Sequence, residues 1–113
     1  MATPTGTAAL LRLYTHEAAR EEGHPLYEAV VLKAREAGLA GATVLRGPMG
    51  YGAAAHLRNA NIIDLAADLP LVIEIVDAEA ALRAFLPTLA AMKDVGLVTL
   101  EKVEVVHAPA DDT

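Results

Sequence analysis

Residues 70–77 read PLVIEIVD, and this run constrains the fold more than any other stretch of the chain. As a strand it puts Leu71, Ile73 and Ile75 on one face and Val72, Glu74 and Val76 on the other. Both faces are largely apolar, so the strand needs cover on both sides. A fold that covers only one side must find a partner for the second.

The other elements fall around it. Residues 8–14 (AALLRLY) form a strand with Arg12 as its one charged break. His24 leads into a helix over 25–37, with Pro25 in its first turn, Leu26, Val30, Ala34 and Ala37 on one stripe, and Gly38 just past its end. ATVLR (42–46) is a second strand, while residues 53–68 suit either a short helix or a strand near 59–63. A second helix spans 78–93, where Leu82, Phe85, Leu86, Leu89 and Met92 keep helical spacing. Pro87 sits within that pattern and should kink the helix or leave one carbonyl unpaired. Residues 97–106 (LVTLEKVEVV) are the last strand, followed by a loose tail, 107–113.

Strand, helix, strand, strand, helix, strand is the order of the ferredoxin-like split unit. The predicted fold class is therefore α+β. It is a βαββαβ domain of four antiparallel strands with two helices on one face, its ordered core at about 8–106. The opposite face would be bare, yet the strands at 8–14 and 70–77 are apolar on both sides. An apolar sheet face of several hundred square ångströms is unusual on a monomer. The pattern therefore predicts a homo-oligomer in which sheets pack on each other.

Composition narrows the function. The 113 residues contain no cysteine, which removes disulfides, thiolate metal sites and cysteine nucleophiles, and no serine, which removes a serine triad. A net charge of −6 argues against nucleic acid as a partner. The start does not read as a signal peptide, and no run of apolar residues is long enough to span a bilayer. A cytoplasmic, soluble protein without direct membrane insertion is expected.

Charge is unevenly spread. Between Glu36 and Asp64 lie 27 residues without an acid, and they carry Arg46, His56 and Arg58. The same stretch holds RGPMGYG (46–52), three glycines and a proline in seven residues. Turn formation with positive φ is one use for Gly47, Gly50 and Gly52. The other use is an anion site, in which glycine N–H groups and Arg46 hold a phosphate or carboxylate. Arg58 and His56 are weaker members of the same set, and Tyr51 reads as a packing residue that can also stack on a base. No GK[ST] follows, so this is not a Walker A loop.

Three stretches carry a resemblance: GHPLYEAVVLKAREAGLAGATVLRGPMGYG (23–52), DLPLVIEIVD (68–77) and GLVTLEKVEVV (96–106). The chain resembles the domain-of-unknown-function family 190, also called UPF0166, a relative of PII-like signalling proteins. That resemblance implies a trimer, with small molecules bound in clefts between subunits. The loop between the second and third strands, about 47–69, would touch a partner protein or transporter. An adenine nucleotide or another anion is the implied ligand class, with no cofactor assigned. Lys102 is a second cation for the cleft. One departure stands out: the segment before the last strand, KDVGLVT (93–99), has one glycine where PII proteins carry a glycine-rich, lysine-containing loop.

Two rival readings remain. Small ferredoxin-like oligomers include isomerases and mono-oxygenases, for which His56 is the one candidate acid–base group near the glycine loop. A CutA-type metal site would draw on His16, His24, His56 and His107, but these lack metal-ligand spacing. The expected class is a non-enzymatic binding protein.

Overall fold

The computed structural model describes residues 3–53, 56–59 and 68–110. Its core is a four-stranded antiparallel sheet with two helices. The elements are β1 (Gly6–His16), α1 (Leu26–Glu36), β2 (Thr43–Arg46), β3 (Pro70–Asp77), α2 (Glu79–Ala90) and β4 (Leu97–Val105). The strand order is β2-β3-β1-β4, the α+β ferredoxin-like arrangement. PLVIEIVD is an inner strand between β2 and β1, as its two apolar faces require.

Register sorts the side chains. Leu11 pairs with Ile75 and Leu100, and Leu13 with Ile73 and Val98. These residues face the helices and meet Leu26, Val30 and Ala34 of α1 and Leu82, Phe85 and Leu89 of α2 in one buried core. Burial of this kind contributes roughly 1.5–3 kcal/mol per large apolar side chain. Among the described residues, no element covers the opposite face. Its row Leu45, Val72, Tyr14, Leu97 crosses all four strands, and Leu45, Tyr14 and Leu97 are exposed. In the next row, Arg12 is bound by Glu74 at 2.9 Å and by Glu101 at 3.3 Å. The Glu74 hydrogen bond, above all, raises the Arg12 guanidinium above its ordinary pKa. The charged break in β1 is thus the centre of a small ion-pair cluster on the open face.

Helix ends follow local rules. Gly38 closes α1 at φ +80°, its N–H bonded to the Arg35 carbonyl while the Leu39 N–H reaches Ala34. That double closure needs a left-handed residue, which glycine supplies without strain. Ala37 lies outside the buried stripe because the helix has already ended. Pro25 precedes the helix as its cap instead of joining the first turn; it pairs with Arg20 in a short ribbon before α1. Pro87 does lie inside α2, with the helix continuing to Ala90. Its ring is exposed, so the cost is a missing N–H and not a disturbed core.

Of the ambiguous stretch 53–68, the residues described show no helix. Arg58–Asn59 pairs with Met49–Gly50 in a two-stranded ribbon that rises from the end of β2. The strand expected near 59–63 otherwise lies outside the described residues, as do the last residues of the tail, 111–113.

Candidate functional site

In the order β2-β3-β1, the end of β2, the start of β3 and the end of β1 lie at one end of the sheet. Topology therefore brings Arg46, Pro70 and His16 together although 54 positions separate the last two (70 − 16 = 54). The glycine-rich segment leaves the sheet at this place. Its first contact is backbone: the Gly47 N–H donates to the Pro70 carbonyl at 2.8 Å.

The glycines serve packing here and not handedness. Among the described residues, the glycines with positive φ are Gly6, Gly23 and Gly38, so the turn expected of Gly47, Gly50 and Gly52 does not use left-handed backbone. A Cβ on Gly47 would lie 3.1 Å from the Pro70 ring, and one on Gly50 3.3 Å from it. Both glycines let the chain lie flat on that ring. Gly52 has open space around it.

The cations are not bare. Arg46 Nη2 lies 2.9 Å from Glu17 Oε2, and the other Glu17 oxygen accepts the Leu69 N–H at 3.1 Å. Arg58 Nε donates to Asp68 Oδ2 at 3.1 Å, and its Nη1 to the His56 carbonyl at 3.2 Å. Asp68 also accepts the Ala18 N–H at 2.9 Å and His16 Nδ1 at 2.9 and 3.0 Å. Burial pushes the Asp68 carboxyl upward, but the hydrogen bonds from Ala18, His16 and Arg58 outweigh it, and its pKa falls below the ordinary value. The acid-free stretch is thus compensated by two acids that flank it in space, Glu17 from β1's end and Asp68 from β3's start. A preformed, uncompensated phosphate cradle is not what the side chains build; an anion at Arg46 would have to share that guanidinium with Glu17.

Glu17 and Asp68 of this site were not singled out in the sequence, and His16 was weighed there only as one of four scattered candidate metal ligands. The signal for them is topological. Any four-stranded sheet of this order sets residues 16–18 and 68–70 beside the end of β2.

The remaining candidates scatter. Tyr51 is 74% exposed, which overturns its reading as a packing residue within the chain. Met49 and Leu57 are exposed beside it in sequence on the same connection. The His56 side chain is exposed. Lys102 sits opposite Ala9 on β4 and acts on Glu79 of α2, so this chain does not bring it to Arg46. Gly96 has its own reason: a Cβ there would collide with the Tyr14 carbonyl, so β4 can begin beside β1 only with glycine. Among the described residues, no three His, Asp or Glu side chains converge as metal ligands, and no helix is long and apolar enough to cross a membrane.

Comparison with known proteins agrees with the motifs. A UPF0166 protein of Aquifex aeolicus is 42% identical over 98 residues, covering 87% of this chain and 92% of that one. A UPF0166 protein of Methanocaldococcus jannaschii is 33% identical over 94 residues, covering 82% and 86%. The model of family DUF190, described as "Uncharacterized ACR", matches residues 8–105. That span holds the sheet except for the first two residues of β1, both helices and the anchored glycine segment, and the chain belongs to the DUF190 (UPF0166) family.

Proposed function

We propose that this protein is a PII-like regulatory subunit without turnover of its own. It assembles as a homotrimer through the open sheet faces and holds an anionic small molecule near Arg46 in the clefts between subunits. The connection between β2 and β3 presents the bound state to a partner protein or transporter in the cytoplasm. One observation carries the reading: Met49, Tyr51 and Leu57 are 56%, 74% and 48% exposed on that single connection. Large apolar side chains clustered in the open mark a contact surface. The exposed Arg46 at its foot supplies the cation, with Tyr51 available to stack.

Calorimetry with ATP, ADP and AMP tests the ligand class. Arg46→Ala should weaken binding of the preferred nucleotide by roughly tenfold or more, the worth of a charge-assisted contact. Glu17→Gln should tighten it, because the competing carboxylate is gone. If none of the three nucleotides binds to wild type, or if both variants match wild type, the anion reading fails.

A further inference from the structure

We infer that the outer edge of β4 recognises itself. β4 of one copy pairs antiparallel with β4 of a second copy about Val103, and each Lys102 faces Glu104 of the other chain. The inference goes beyond the regulatory reading and depends on neither the ligand nor the trimer.

β4 is an edge strand of nine residues, and among the described residues it pairs with β1 alone. One side of its ladder is therefore open. Such an edge is a template for another strand unless its side chains forbid it. The charges on β4 are Glu101, Lys102 and Glu104. Glu101 is drawn to Arg12 on the open face of the sheet. Lys102 lies opposite Ala9 and Glu104 opposite Thr7, so both are on the helix side, and both are exposed. Lys102 acts on Glu79 of α2, but Glu79 already holds Arg83 at 2.8 Å. Among the described residues, Glu104 has no ion-pair partner.

Two copies related by a two-fold axis normal to the sheet keep their helices on the same side, and residues directly opposite share a face. The symmetric registers differ in what meets at the axis. Centring on Glu101, Lys102 or Glu104 sets like charges face to face, which destabilises the pair. Centring on Val103 sets valine against valine and makes two Lys102–Glu104 contacts. Glu101 then falls opposite Val105 and keeps Arg12. The same register lays Leu100 of one copy beside Val106 of the other, and Val106 is 82% exposed in the single chain. One arrangement thus satisfies the charges and covers the most exposed large aliphatic side chain among those described. The continuous sheet that results has β2 at both margins, so Arg46 and the connection bearing Tyr51 stay free.

A short ladder with two exposed ion pairs is a weak contact, with a Kd on the order of 0.1–1 mM. Sedimentation velocity on the full chain, from about 10 μM to about 2 mM, brackets that range. The average mass should at least double across it, whatever the assembly at the lower end: trimer joined to trimer, or monomer to monomer. Lys102→Glu and Glu104→Lys should each abolish the rise, since each sets like charges at both contacts. An equimolar mixture of the two variants should recover it, because every contact between unlike chains is again a lysine facing a glutamate. The double variant K102E/E104K should recover it as well. A wild type whose mass stays constant means that these charges guard the edge against pairing, and it overturns the inference. So does a rise that survives in either single variant, which another strand or surface must then mediate, or a loss that neither the mixture nor the double variant repairs.

Discussion

At the scale of single residues, the glycines separate by what surrounds them. Gly96 approaches the Tyr14 carbonyl so closely that any Cβ must displace backbone, and backbone in an inner strand cannot yield cheaply. Gly96→Ala should cost about 1–3 kcal/mol or more, measured as a fall in the urea midpoint at unchanged slope. Gly52 has space and no positive φ, so Gly52→Ala should be neutral or stabilising by up to about 1 kcal/mol through the unfolded chain. A reversed order of these two effects would refute the packing account. Asp68 provides a second residue-level expectation. Its pKa is depressed in the folded state, so it stabilises the protein above its unfolded pKa, and that contribution is lost as pH falls through the folded value. Urea titrations between about pH 6 and pH 3 should show wild type losing its advantage over Asp68→Asn as acid is added. A constant difference across that range would mean that the carboxylate's charge plays no part. Of these residues, only the glycines were visible in the sequence as a cluster. Their purpose was not, because it depends on Pro70, which lies 23 positions after Gly47 (70 − 47 = 23).

At the scale of elements, legibility tracked periodicity. PLVIEIVD is a strand over the whole of its expected range, because eight residues with alternating buried positions leave no competing period. β1 runs beyond the AALLRLY segment to His16, since Thr15 pairs with Leu71 and His16 with Pro70. Polar residues at a strand's end look like a loop when their cross-strand partners are unknown. The short ribbons were barely legible: the strand offered near 59–63 meets the Arg58–Asn59 ribbon only at Asn59, because a two-residue pair has no period to read. α2 offers the element-scale prediction. Pro87 is exposed within the helix and withholds one N–H, while the buried stripe Leu82, Phe85, Leu89 passes on the other side. Pro87→Ala should therefore stabilise the protein by roughly 1–3 kcal/mol, the interior-proline cost less the unfolded-state entropy that proline removes. An unchanged or lower midpoint would mean that the helix is shaped around the proline and that its core contacts depend on that shape.

At the scale of the whole molecule, the decisive feature is the sheet face that the helices leave open. Its apolar row is continuous from Leu45 through Val72 and Tyr14 to Leu97, and the ion-pair cluster of Glu74, Arg12 and the diagonal Glu101 lies beside it. Such a face suits a second sheet better than water: the apolar row supplies area, and the charged cluster penalises a misplaced register. The proposed trimer would cover it with copies of this chain, because an oligomer closed by symmetry repeats the same surface for each member. Tyr14 is the point to strike. It lies in an inner strand at the middle of the row, yet its side chain is open to solvent in the isolated chain, so charge there should leave the fold intact. Light scattering after size exclusion should give a trimer for wild type at micromolar protein, and Tyr14→Asp should shift it towards monomer with its helical and sheet content unchanged. A wild-type monomer would remove the clefts on which the nucleotide reading depends. A trimer that Tyr14→Asp leaves intact would mean that the subunits meet elsewhere. The open row would then be left for a different protein to cover.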